Sequence, residues 1–271
     1  MTGPVWHILG VSVQGTSHLD KNTPCQDTHA YRLTPNGDIL LAIADGAGSA
    51  ERSQEGAQAA VEQAVISFEA AFQTGLPGDE TDWRTLMAQV FADAHQAVVQ
   101  LAAGANIPLS SFATTLACAV VSGEWLAVGQ IGDGAAVAED EDGTLFLTAR
   151  PQRGEYANEA YFLTMPDGLN SLVVYTAPRF IRSLTLTTDG LLRLAFKLPE
   201  YEPSAQFFQP LLAFTAAMDD PEQAKSELVA FLNSARVCAR TDDDKTLILA
   251  TRANPTPTVL ENPVSDGAQE E

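Results

Sequence analysis

The apolar residues of this chain change period in blocks, and the blocks do not alternate as a parallel βαβ fold requires. Residues 6–14 alternate loosely, and 28–33 and 39–44 read as strands around Pro35-Asn36-Gly37-Asp38, where Asn-Gly between apolar runs marks a hairpin. From Ala57 to Phe72 the apolar positions recur at three- and four-residue steps, Gly75-Leu76-Pro77-Gly78 breaks them, and Leu86, Val90, Ala94, Val98 and Leu101 line a second helical face. Short apolar runs at 112–121, 125–131, 135–138 and 145–148, separated by glycine turns, read as a β-meander. Strands at 171–176 and 183–188, helices at 208–218 and 221–236, and a last strand at 246–251 complete the pattern. The second of those helices starts with Asp220 at the cap, Pro221 at the first position and Gln223 where a capping box places it. This order predicts an α+β fold: antiparallel sheets covered by helical pairs.

Composition narrows the function. Fifteen basic residues against thirty-five acidic ones give a net charge of −20, which repels nucleic acid and anionic membranes. No apolar run reaches membrane-spanning length, and the start has no basic segment followed by an apolar one. Cys25, Cys118 and Cys238 are widely spaced, with no CxxC pair for zinc or a dithiol. A cytoplasmic protein is expected. Residues 253–271 hold three prolines, four acids and no base, so one domain over 1–252 and a disordered tail are expected.

Four aspartates stand at the edges of expected strands: Asp27, Asp45, Asp189 and Asp243. A two-residue Asn36-Gly37 loop would set Thr28 opposite Asp45, with Asp27 beside it at the open end of the hairpin. Like charges that close are destabilising unless a proton or a cation intervenes. Asp189-Gly190 repeats the Asp45-Gly46 corner, and Asp243 sits in Asp242-Asp243-Asp244 ahead of an apolar strand. Singly, each aspartate is a turn residue; together they make an oxygen-only donor set suited to Mg²⁺ or Mn²⁺. Such ions support hydrolysis of phosphate esters without a protein nucleophile.

The order of motifs resembles the metal-dependent type 2C (PPM) serine/threonine protein phosphatases. Gln26-Asp27, Ala44-Asp45-Gly46-Ala47-Gly48, Ser111-Phe112-Ala113-Thr114-Thr115, Gly132-Asp133-Gly134, Thr188-Asp189-Gly190 and Asp243-Asp244-Lys245-Thr246 follow the family's sequence of motifs over about 240 residues. The resemblance implies a four-layer αββα sandwich and a water, bridging two Mn²⁺ or Mg²⁺ ions, that attacks phosphoserine or phosphothreonine of a protein phosphorylated by a Ser/Thr kinase. It implies that Asp45 bridges the metals, that the Gly46 carbonyl binds one, that Asp189 and Asp243 complete the second, that Asp27 holds metal-bound water, and that Asp133 serves a weaker third ion. Gln26 replaces the family's usual glutamate, and Arg193 stands where some relatives carry another acid. The usual phosphate-binding arginine is replaced by a loop carrying His18 and Lys21, either of which is a candidate to substitute, and His18 is the one histidine expected to act in catalysis beside Asp27 and Asp45. These departures indicate a divergent bacterial branch, and they motivate an alternative: a pseudophosphatase that binds partners without turnover. Residues 151–170 occupy the position of the family's variable flap, expected to shape substrate choice. His95 reads as a helix-surface residue. Cys25 has no neighbouring base to activate it, and Glu139 to Gly143 reads as a hairpin turn. The glycines after Asp45 lack the third glycine of a dinucleotide fingerprint.

Overall fold

The computed structural model describes residues 6–152 and 161–253. In chain order it runs β1 (Trp6–Val13), α1 (Thr16–Lys21), β2 (Asp27–Leu33), β3 (Ile39–Asp45), α2 (Ser53–Thr74), α3 (Glu80–Ala105), β4 (Leu116–Ser122), β5 (Trp125–Ile131), β6 (Ala135–Glu139), β7 (Leu145–Ala149), β8 (Val173–Pro178) and β9 (Ser183–Thr187). Then follow α4 (Leu192–Ala195), the short strands β10 (Phe196–Lys197) and β11 (Glu202–Pro203), α5 (Ala205–Ala216), α6 (Pro221–Leu232), α7 (Ala235–Cys238) and β12 (Lys245–Arg252).

Two five-stranded antiparallel sheets form, ordered β1-β12-β9-β6-β7 and β2-β3-β4-β5-β8. The side-chain alternation of the central strands builds three cores. In β3, Leu40, Ala42 and Ala44 pack with Trp83, Phe91 and Phe68 of α2 and α3, whereas Ile39, Leu41 and Ile43 face Leu184, Leu186 and Ile248 of the opposite sheet. In β12, Leu247 and Leu249 turn outward to Phe208, Leu212 and Leu228 of α5 and α6. Strands buried on both faces read as continuous apolar runs, which explains the apolar blocks of the sequence. The layers are helices, sheet, sheet, helices, the expected sandwich.

Four expectations are corrected. The β2–β3 hairpin pairs Asp27 with Asp45 rather than Thr28. The loop is longer than two residues: Thr34 N–H bonds the Asp38 carbonyl at 2.9 Å and Gly37 takes a positive φ of 86°, the geometry of a turn closed by a left-handed glycine. The meander is split, because β4 and β5 lie in one sheet while β6 and β7 lie in the other. The chain changes sheets at Gly132-Asp133-Gly134. The last long helix stops at Leu232 and a separate turn of helix, α7, follows Ser234. Its Asp220 cap forms, accepting from Glu222 and Gln223 N–H, but the Gln223 side chain bonds Glu227 instead of closing a capping box. The tail expected to be disordered lies, from residue 254 on, outside the described residues, as do 153–160 of the expected flap.

Candidate metal centre

Each carboxylate is delivered to one end of the sandwich by an element boundary. Asp27 starts β2, Asp45 ends β3, Asp133 sits in the crossover from β5 to β6, Asp189 follows β9, and Asp243 precedes β12. Carboxylate oxygens of Asp45, Asp133 and Asp189 lie within 4.8 Å of one another. These three line a cavity of about 370 Å³ together with Asp243, Gly46, Gln26, His18, Lys21 and Phe162. Asp243 is outside the tight trio: its side chain is 53% exposed, and its Oδ1 accepts from the Asp244 N–H at 2.9 Å and lies 3.9 Å from His18 Nε2. Asp133, for which the resemblance implies only a weaker third ion, stands inside the trio.

The backbone around Asp45 is clamped by the threonines of the Ser111–Thr115 motif. Thr115 N–H donates to the Asp45 carbonyl at 2.9 Å, Thr115 Oγ1 accepts from the Asp45 N–H at 2.9 Å, and Thr114 Oγ1 donates to the same carbonyl at 3.1 Å. The Gly46 N–H reaches the Gln26 carbonyl at 3.2 Å, tying the first two motifs together. Asp133 is aimed by two glutamine amides: Gln130 donates to the Gly132 and Gly134 carbonyls at 3.1 and 2.9 Å, and Gln152 Oε1 accepts from Gly132 N–H at 2.8 Å. Neither glutamine was marked by the sequence, since an amide buried under a turn has no local pattern.

Asp27 is buried. Its Oδ2 accepts from Thr188 Oγ1 at 2.8 Å, and Thr188 in turn accepts from the Thr246 N–H at 3.0 Å. Asp27 Oδ1 is buried without a hydrogen-bond partner. Burial drives the Asp27 carboxyl above the usual range against the pull of the Thr188 hydroxyl, and the charges of Asp244 and Asp189 add to the rise. Asp45 is raised as well, first by burial and then by Asp27, Asp189, Asp133 and Asp243, so all five carboxylates share one field.

Asp244 is the principal residue that the sequence reading passed over. Buried to 3% exposure, it accepts from Gly15 N–H and Gln26 N–H, each at 2.6 Å, and faces His18 Nδ1 at 2.8 Å. One carboxylate thereby fastens α1, the approach to β2 and the end of the Asp242-Asp243-Asp244 run. The close fit also fixes Gly190, whose Cβ would lie 2.0 Å from the Asp244 carbonyl. The helix α1, unrecognised in the sequence because it is six residues long, brings His18 and Lys21 to the cavity wall.

The other residues weighed in the sequence fall elsewhere. His29 bonds Ser12 at 2.8 Å between the sheets, His95 is half-buried on α3, and Arg193 is exposed on α4. Cys25 is held well above the usual thiol range by burial and by Asp27 and Asp244, the reverse of an activated nucleophile. Among the described residues no helix is long and apolar enough to cross a membrane.

The donor set fits a hard divalent cation. It is all oxygen, its carboxylates repel one another, and a buried carboxylate oxygen is left without a donor.

A family model described as protein phosphatase 2C matches residues 14–233. Serine/threonine-protein phosphatase 3 of Escherichia coli is 33% identical over 251 residues, which cover 90% of this chain and 98% of that protein. Among solved structures, the serine/threonine phosphatase Stp1 of Staphylococcus aureus superposes with a TM-score of 0.63 at 14% identity, over 93% of this chain and 97% of its own. A serine/threonine phosphatase of S. agalactiae gives 0.62 at 12% identity, over 92% and 100%. At these identities the structures bear on the fold alone, whereas the family model and the Escherichia coli relative extend over most of the sequence. The chain belongs to the protein phosphatase 2C family.

Proposed function

We propose that this chain removes phosphate from phosphoserine and phosphothreonine of cytoplasmic proteins, the products of a Ser/Thr kinase, using Mn²⁺ or Mg²⁺ held by Asp45, Asp133, Asp189 and Asp243. The observation that carries this reading is the trio of carboxylates within 4.8 Å at the floor of an open cavity. Two divalent cations held by these carboxylates would supply an activated water and neutralise the phosphoryl oxygens. The protein's own groups do the rest. Thr188 fixes the buried Asp27 carboxylate, whose charge adds to the field of Asp45 and Asp189, and the threonine clamp keeps Asp45 from swinging away from its partners. Gly46 lines the cavity, where its carbonyl would be a further oxygen donor. His18, locked by Asp244, and Lys21 are the basic side chains on the cavity wall, and Lys21 takes the phosphate-orienting role of the absent arginine. Phe162 also lines the cavity, with Leu163 N–H anchored on the Thr114 carbonyl at 2.8 Å. The described part of the expected flap therefore contributes directly to the site.

The test compares phosphothreonine, phosphoserine and phosphotyrosine peptides with small phosphate esters, in Mn²⁺ and in Mg²⁺. Preference for the first two peptides supports the reading; equal or better turnover of small esters overturns its protein-substrate part. Lys21→Ala is expected to raise KM about tenfold with a smaller change in kcat. An unchanged KM removes Lys21 from phosphate binding.

A further inference from the structure

Beside the metal cavity lies a second one of about 550 Å³, and the two share Thr23, Gln26 and Gly48 in their walls. A phosphate group and its metals belong to the first. The second has room for a neighbouring side chain of the substrate, since an extended peptide advances about 3.3 Å per residue. Its wall carries three charged residues, Glu51, Arg52 and Glu55. Arg52 is already committed: its Nε donates to Glu55 Oε1 at 2.5 Å, a second guanidinium nitrogen bonds Glu55 Oε2, and the group lies 4.8 Å above the Phe112 ring. Glu55 also stands in the first turn of α2, where its charge answers the positive end of the helix. Glu51 is exposed and makes no salt bridge among the described residues. Glu51 also acts through its charge on Arg52, so the three side chains together carry one unbalanced negative charge, exposed at Glu51, on a chain whose net charge of −20 draws cations and repels acids.

We propose that this second cavity is a substrate subsite for a lysine or arginine side chain flanking the phosphorylated residue, with Glu51 as its specificity-determining contact. The proposal rests on the phosphatase reading, because it places the phosphorylated residue in the metal cavity.

The experiment uses phosphothreonine peptides in which lysine or glutamate is moved through each of the three positions on either side of the phosphorylated residue. Hydrolysis is read as kcat/KM in Mn²⁺, and binding as fluorescence anisotropy on the Asp189→Ala variant, which needs no turnover. At one or more positions lysine should exceed glutamate by about fivefold, the upper range for one exposed charge pair, and the difference should shrink in high salt. Glu51→Lys should erase or invert that preference while hydrolysis of p-nitrophenyl phosphate stays at the wild-type level. Equal use of lysine and glutamate peptides at every position, or a preference that survives Glu51→Lys, overturns the subsite. The two ideas fail separately. Hydrolysis without charge preference leaves the phosphatase and removes the subsite; a Glu51-dependent binding preference without hydrolysis of any ester keeps the subsite and removes the phosphatase.

Discussion

Replacing Asp45 by asparagine should stabilise the metal-free protein and abolish its activity. The backbone clamp from Thr114 and Thr115 uses only the main chain of residue 45, so it survives the substitution. What changes is charge. Two unit charges 4.8 Å apart, the limit of the trio, repel by about 3 kcal/mol at an effective dielectric constant of about 20. Asp27, directly opposite across the hairpin, adds a further term. Proton uptake caps the penalty in the wild type, which leaves a net gain of about 1–2 kcal/mol for Asp45→Asn in chelator. In a domain of this size that is a rise of about 2–8 °C in Tm. Excess Mn²⁺ reverses the order: a cation at one hundred times its dissociation constant stabilises the wild type by about 2.7 kcal/mol, and the variant gains much less. Calorimetry of both proteins in chelator and in Mn²⁺ reads the crossing. A variant less stable than the wild type in chelator, or a wild-type Tm that ignores Mn²⁺, refutes the reasoning.

Further outcomes follow from the same contacts. Asp27 and Asp45 keep their protons above the ordinary carboxylate range, so the folded metal-free protein binds more protons than the unfolded chain. Its stability should therefore fall as pH rises from about 4 to about 8, where the Asp27 carboxyl titrates, and a Tm rising over that window in chelator would contradict this. Thr188→Val removes the donor to Asp27 and the acceptor of the Thr246 N–H and should cost about 1–3 kcal/mol in urea denaturation, with Thr188→Ser close to wild type. Asp244→Ala leaves two backbone donors and His18 without their acceptor and should cost about 3 kcal/mol or more, checked by the same denaturation.

The parts of this fold that were legible in the sequence are those written in local pattern. The order of the longer strands and helices, the break at Gly75 and the Asp220 cap depend on neighbours a few residues apart, and the structure contains them. The one-residue error in the hairpin came from counting Asn36-Gly37 as the whole loop, when Thr34 and Asp38 also belong to the turn. That error mattered, because a shift of one residue decides whether Asp27 or Thr28 confronts Asp45. The split of the meander was invisible because a glycine-rich turn between strands looks the same whether the chain returns to its own sheet or crosses to the next. Asp244, Gln130 and Gln152 act over separations of 20 to 229 residues, or through backbone groups that no side-chain pattern advertises. The carboxylates themselves were legible because clustered acids at strand ends are unusual; the groups that aim them were not.

The clustered carboxylates are proposed to run metal-dependent phosphate hydrolysis. The most direct test of this is phosphate release from a phosphothreonine peptide by the wild type and by Asp189→Ala, each in Mn²⁺ and in excess chelator. Turnover by the wild type in Mn²⁺ alone, lost in chelator and in the variant, is the predicted result. No turnover by the wild type in Mn²⁺, or full activity in Asp189→Ala, would contradict it.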